Sequence, residues 1–287
     1  MRTVPIAVVI PTYNRGLAVC SVLSKIYACD PNPAEIIVHV DLADGLVEEK
    51  LRGRFPGVRV LTSSARLGPG GGRHRCLSAC TSAYAVSLDD DSFPIDPDFF
   101  SGIEQLFAEH PRAGILAARI WHRGESIPAR TKSVTPAQSF VGCGHAVRLT
   151  AYRQVRGYLP RPIAYGMEES DLGLQLLAAG WQILEVGDLR VFHDTEFGHR
   201  ESPEITAAGI TNVGLCVFLH YPAVGWGWGI GRIAKIVAYC LRKKQFRGIL
   251  AGLAQIPIDC YRNRKLRKPI RWRTLRAALA LRRIPVG

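Results

Sequence analysis

Tyr84-Ala85-Val86-Ser87-Leu88-Asp89-Asp90-Asp91 decides how this chain is read. An apolar run of strand length delivers three consecutive carboxylates with no basic residue beside them in the sequence. Acids crowded this closely repel one another and raise each other's pKa, whereas a bound divalent cation keeps them ionised. Oxygen donors suit Mg2+ or Mn2+, ions that commonly hold the phosphates of a substrate as well. The stretch therefore predicts a strand that ends in a cation site; a solvated acidic turn is the alternative.

Upstream, residues 4–10, 36–40 and 58–61 are near-continuous apolar runs, as expected of parallel strands covered on both faces. Residues 16–28, 46–54 and 72–82 between them have helical length and pattern. The alternation predicts an α/β sheet whose ligands sit at the carboxyl ends of its strands. Those ends carry Pro11-Thr12-Tyr13-Asn14-Arg15, then Asp41, then Asp89 to Asp91, so the suggestive residues converge on one crevice.

Downstream, Tyr165-Gly166-Met167-Glu168-Glu169-Ser170-Asp171-Leu172 opens a helix that runs to about residue 179, where Gly180 stops it. Acids in a first turn are favoured by the helix dipole alone. At about 100° per residue, Glu169 falls on the inward side with Leu172 and Leu176, while Glu168 and Asp171 lie toward one edge. A carboxylate in a partly dry crevice has its pKa raised toward the working pH, which makes Glu169 the candidate general base; a capping acid with its head in water is the alternative. A short strand over residues 189–192 then delivers His193, a candidate imidazole ligand that suits Mn2+ better than Mg2+. His199 is the second choice, and residues 128–138 read as a mobile surface loop.

With 287 residues and 47% hydrophobic content the chain can bury a substantial core, which excludes a disordered protein. Eight cysteines without a CxxC pair exclude a zinc ribbon and a compact disulfide framework, and predict reduced thiols inside the cell. The apolar start is broken by Pro11, too early for a signal peptide, so a cytoplasmic protein is expected. Charge is unevenly placed: residues 232–287 carry 16 Lys or Arg against one acid, a net +15, and residues 1–231 carry 21 against 23, a net −2. Ile233, Ile236, Val237, Tyr239, Phe246, Leu250 and Leu253 are interleaved with these charges, which favours an anionic membrane surface over nucleic acid as the partner of 232–287. The protein is thus expected to be peripherally associated with the inner face of the cell membrane. Residues 207–231 carry no formal charge, but Asn212, His220, Pro222 and four glycines between 225 and 231 make them a poor span, better packed on the body or lying shallowly in the interface.

Taken in order, Val9-Ile10-Pro11-Thr12-Tyr13-Asn14-Arg15, Glu35-Ile36-Ile37-Val38 leading to Asp41, Leu88-Asp89-Asp90-Asp91, Glu168-Glu169-Ser170-Asp171-Leu172 and His193 resemble the motif series of glycosyltransferase family 2. The resemblance spans roughly residues 4–200. It implies a GT-A fold, a Rossmann-like mixed sheet flanked by helices. Residues 1–204 would form the catalytic domain, with a nucleotide-sugar-binding half (1–92) and an acceptor-binding half (93–204). A helical, basic, membrane-associating extension (205–287) would follow. It also implies a nucleotide-sugar donor, UDP or dTDP by family habit with GDP-sugars open, a Mn2+ or Mg2+ cofactor, and inversion at the anomeric carbon.

By the same resemblance, Pro11, Thr12, Tyr13, Asn14, Arg15 and Asp41 hold the nucleobase and ribose, with Asp44 sharing the base contact. Asp89 and Asp91 form the DxD pair with Asp90 between them on the donor side; Asp91 is the firmer metal ligand, Asp89 faces ribose or metal, and His193 joins the metal. Glu169 matches the catalytic base of a Glu-Asp pair that here is Glu-Glu, leaving Glu168 and Asp171 open. The glycine run from Leu67 leads into a helix suited to phosphate approach, with Arg73 meeting donor phosphate or base. Gly142, Cys143 and Gly144 resemble an acceptor-side loop, and Trp121 either stacks on a sugar or belongs to the core. A hydroxyl of a lipid-linked or cell-surface glycan is the expected acceptor. Two competing readings are a sugar-nucleotide nucleotidyltransferase, which should carry a glycine-rich basic signature where this chain has Pro11 to Asn14, and a non-catalytic membrane scaffold.

Overall fold

The computed structural model describes residues 2–195 and 202–281, so His199 lies outside the described residues. Among the described residues, nine strands form one mixed sheet: β1 (Thr3–Thr12), β2 (Asn32–Val40), β3 (Val58–Thr62), β4 (Tyr84–Leu88), β5 (Ser92–Pro94), β6 (Ala113–Trp121), β7 (Val134–Pro136), β8 (Gly144–Arg148) and β9 (Gln182–His193). Their order is β3-β2-β1-β4-β8-β6-β9-β5, with β7 paired to β9. The first four strands run parallel, β8 is antiparallel to both β4 and β6, and β9 is parallel to β6.

The helices in the sheet region are α1 (Gly16–Tyr27), α2 (Gly45–Arg54), α3 (Gly68–Ala79), α4 (Ile103–Glu109), the single turn α5 (Leu149–Tyr152) and α6 (Glu168–Ala178). They cover both faces. Ile6, Val8 and Ile10 of β1 join one core cluster with Val19 and Leu23 of α1, while Ala7 and Val9 join another with Cys76 and Leu77 of α3 and Leu172 of α6. Burial on alternate faces is why β1 reads as an unbroken apolar run. Each such Val, Leu or Ile contributes about 1.5–3 kcal/mol by leaving water.

Four helices follow: α7 (Pro203–His220), α8 (Trp226–Arg242), α9 (Ile249–Arg262) and α10 (Trp272–Ala280). Of the uncharged stretch 207–231, the α7 part packs on the body, with Ile210, Leu215, Cys216 and Leu219 buried, whereas Val224, Trp226, Trp228 and Ile230 are exposed. Small residues bring α7 and α9 together, since a Cβ at Gly252 would stand 2.7 Å from the Ala207 carbonyl oxygen and one at Gly214 would stand 2.7 Å from the Ile256 side chain. No helix among the described residues is long and apolar enough to cross a membrane.

Two local expectations are corrected. The short strand over 189–192 is the end of the twelve-residue β9, whose register on β6 shifts between Ala118 and Arg119 and so hides a single period from the sequence. The loop expected at 128–138 contains β7, which completes an edge on β9 with Val134 opposite Val186.

Candidate active site

The carboxyl ends of β1, β2 and β4, the first turn of α6 and the inner side of α8 surround a cavity of about 1070 Å³. Its lining includes Pro11, Thr12, Tyr13, Arg15, Asp41, Arg73, Asp89, Asp90, Asp91, Gly142, Cys143, Glu168, Glu169 and His193. Such a volume lies at the upper end of the usual range for ligand pockets, about 300–1000 Å³.

The acidic run is not short of cations once the chain is folded, which corrects the reading of Asp89 to Asp91 as unneutralised. Arg15, at the start of α1, donates to Asp90 at 2.9 Å and to Asp91 at 2.8 Å. Arg73, from the middle of α3, pairs with Asp89 and Glu168 and donates Nε to Ser87 at 3.0 Å. Both arginines are far from the acids in sequence and reach them only because β1, β4 and α3 adjoin. Arg73 is 2% exposed and engaged by carboxylates, so it forms part of the cavity wall instead of reaching out as a free phosphate ligand.

Each acid has its own environment. Burial pushes the Asp90 carboxyl up to about 7, against the opposing pull of Arg15 and the Thr12 hydroxyl, which donates to Asp90 at 2.7 Å. Burial also acts on Asp91, but hydrogen bonds from His193 and Arg15 outweigh it and hold that carboxyl below the usual range. His193 Nε2 stands 3.1 Å from Asp91 Oδ1. Ligand atoms of Asp89, Cys143 and His193 all lie within 4.8 Å of one another. Carboxylate and imidazole there match the donors a divalent first-row ion takes, with the Cys143 sulfur as a softer neighbour.

Glu168 and Glu169 stand at the opening of α6. Burial pushes Glu168 up to about 7 despite Arg73, and it likewise raises Glu169 above the ordinary glutamate value, opposed by backbone N–H groups and Arg73. Glu169 Oε1 accepts the Gly142 amide at 3.1 Å. A Cβ at Gly142 would stand 3.0 Å from that oxygen and 3.1 Å from Arg73 Nη2, so a glycine permits the close approach.

Other candidates are placed differently. Asp41 lines the cavity, yet its carboxylate accepts the Ser63 hydroxyl at 2.8 Å and the Leu67 and Gly68 amides at 2.9 Å, fixing the loop that leads into α3. Asp44 caps α2 by accepting from Leu46 and Val47 and is outside the cavity lining. Asn14 takes a positive φ of 53° where the chain turns into α1 and lines a shallower neighbouring cleft. Trp121, 9% exposed, and Gly144, paired to Leu88, are also outside the lining; both belong to the sheet and not to a sugar platform.

Asp171 is corrected as well. It is 1% exposed and engaged by Arg156 at 2.6 Å, His220 at 2.6 Å and Gln175 at 3.0 Å, away from the cavity. Glu168 and Asp171, read as lying together toward one edge of α6, are both buried but in different surroundings: Glu168 lines the cavity against Arg73, and Asp171 is covered by α7 through His220. Sequence reasoning missed Arg66, whose guanidinium lies 4.7 Å over the Tyr13 ring, and Arg232, Lys235 and Tyr239 of α8, all in the lining. Arg66 follows the end of β3, a position that the strand-end rule reaches; the α8 residues leave no such signal.

A mixed sheet whose parallel strand β4 ends in acids, with an acid-bearing helix closing the cavity, defines an α/β architecture with a carboxylate-lined site. Residues 7–160 match the model of glycosyl transferase family 2, and this chain belongs to that family. No curated protein matches the sequence. Among solved structures, TarS 1–349 of S. aureus in complex with UDP-GlcNAc is similar with a TM-score of 0.56 at 16% identity, over 74% of this chain and 66% of that one. GalNAc-T7 with UDP, GalNAc and Mn2+ gives a TM-score of 0.60 at 14% identity, over 76% and 48%. The mannosyltransferase PcManGT of Pyrobaculum calidifontis, in complex with GDP-Man and Mn2+, gives 0.56 at 15% identity, over 96% and 74%. The chain thus spans under two thirds of the TarS chain and about half of the GalNAc-T7 chain. At these identities the likeness is one of fold: GT-A-like, with a C-terminal helical region.

Proposed function

We propose that this chain is a nucleotide-sugar-dependent, inverting glycosyltransferase that moves a sugar to an acceptor hydroxyl in a single displacement. The observation that carries this reading is the meeting of Asp89, Asp91 and His193 with Glu168 and Glu169 in one cavity, within a family 2 chain. Asp89, Asp91 and His193 would hold a divalent ion such as Mn2+ or Mg2+. When bound, that ion supplies positive charge for the diphosphate leaving group.

The remaining work falls to this chain's own groups. Pro11 to Tyr13, Asp41 and Arg66 form the side of the cavity suited to base and ribose, where the Tyr13 ring offers a stacking face. Glu169 takes the proton of the acceptor hydroxyl as that oxygen attacks from the face opposite the diphosphate, and the Gly142 amide holds its carboxylate in place. Arg73 bridges Asp89 and Glu168 as a fixed cation that offsets their mutual repulsion. Glu168 is thereby occupied, which favours Glu169 as the base.

We assign catalysis to residues 1–204 and read 205–287 as an extension that closes the cavity and rests on an anionic membrane. Trp226, Ile230, Phe246, Leu250 and Tyr261 are 48%, 66%, 61%, 82% and 67% exposed among basic neighbours, as an interfacial surface requires. The donor assignment is tested by a thermal-shift screen of UDP, dTDP, GDP and CDP with and without Mn2+. One diphosphate should raise the melting temperature in a Mn2+-dependent way. A flat response to all four contradicts the reading.

A further inference from the structure

The cavity has two walls of opposite character. Its floor carries acids that are matched by Arg15, Arg73 and His193. Its C-terminal wall carries Arg232 and Lys235 of α8, and no carboxylate is in ion-pair range of either among the described residues. Arg232 is half-buried, and its guanidinium donates to the Tyr221 hydroxyl at 3.1 Å. Partly burying a guanidinium without an anion is costly, and Lys235, one turn away and itself exposed, adds a second positive charge to the same face.

The helix also sorts its faces. At about 100° per residue, Arg232, Lys235, Ile236 and Tyr239 fall on one side, all in the cavity lining. Trp226, Ile230 and Leu241 fall on a separate stripe, 48%, 66% and 46% exposed. One helix therefore offers cations to the cavity and an apolar stripe to the surroundings. It packs on α7, which packs on α6, the helix that carries Glu169.

Building on the transferase reading, we infer that Arg232 and Lys235 form an anion subsite for a phosphate group carried by an amphiphilic acceptor, whose hydrocarbon runs along α8. The diphosphate of the donor offers the same chemistry, so the test separates the two sources. The probes are dodecyl phosphate and the uncharged dodecyl glucoside, each below its micelle concentration, and UDP with Mn2+, titrated calorimetrically into the full-length protein. Variants are Arg232→Gln, Lys235→Gln, and Arg264→Gln with Lys265→Gln on the exposed turn after α9 as a control.

Wild type should bind dodecyl phosphate at least tenfold more tightly than dodecyl glucoside. Arg232→Gln and Lys235→Gln should each weaken dodecyl phosphate by roughly tenfold, the size of a charge-assisted hydrogen bond. Both should leave UDP affinity within about twofold, and the control should change neither. Unaltered dodecyl phosphate binding in both α8 variants overturns the subsite, as does an equal loss in the control; a matching loss of UDP binding reassigns the pair to the donor and overturns it too. If no nucleoside diphosphate binds wild type while dodecyl phosphate binding still depends on Arg232, the donor reading fails and the anion subsite stands. Unfolding midpoints within a few degrees of wild type identify the variants whose titrations count, and Arg232→Lys, which keeps the charge, should restore most of the affinity.

Discussion

Glu169 bears the chemical burden of the proposal at the scale of single residues. As a base it must be ionised, and burial raises its carboxyl above the ordinary glutamate value. The rate should therefore climb along a limb that lies above the usual glutamate range and fall about tenfold per pH unit below it. Glu169→Gln should lower kcat by about 10²–10⁴ while donor affinity stays within about twofold, read from steady-state kinetics and UDP titration. Full activity in that variant removes Glu169 as the base. Part of the placement was legible: that Thr12, Asp89, Asp91, Glu169 and His193 line one cavity follows from strand ends, a helix start and motif order. The arginine partners were not, because Arg15 and Arg73 meet the acids across 75 or more and 16 residues of chain respectively, contacts that only the sheet order creates.

Among the elements, α6 shows where a helical wheel falls short. Its apolar positions do mark an inward side, but the helix is wedged between two cores: Leu172 and Leu176 face the sheet cluster, and Met167 and Leu174 face the α7 cluster. A helix covered on two sides can bury a polar residue between them when partners come from other elements, as Arg156 and His220 do for Asp171. Asp171→Asn should destabilise the protein by about 3–5 kcal/mol in urea unfolding, the cost of breaking a buried charge pair, without moving the acid limb of the rate profile. A shifted limb with unchanged stability would instead make Asp171 part of the catalytic machinery. The same lesson holds for β7 and β9, whose pairing depends on an edge that no local period announces.

For the whole molecule, the contrast is between a near-neutral body and a cationic helical end, and this asymmetry was fully visible in the charge count. What the sequence did not show is that α8 also lines the cavity, so the exposed apolar stripe proposed to meet a membrane and a cavity-lining face belong to one helix. Truncation is a poor probe of membrane binding, since Leu275 and Ala278 of α10 are buried against the body. Lys243→Glu, Lys244→Glu and Arg247→Glu combined should abolish co-sedimentation with vesicles containing anionic lipid and leave donor binding intact. Wild-type binding should itself weaken between low and high salt, as screening shortens the reach of the charges. Salt-independent, variant-insensitive sedimentation would contradict the peripheral association.

The gathering of Asp89, Asp91 and His193 beside one nucleotide pocket is tested most directly by titrating UDP, dTDP and GDP into wild type and Asp91→Asn with and without Mn2+. Binding of one diphosphate that requires Mn2+ in wild type and falls at least tenfold in Asp91→Asn is the predicted result. Affinity that is the same with and without the metal, or the same in both proteins, would contradict the site.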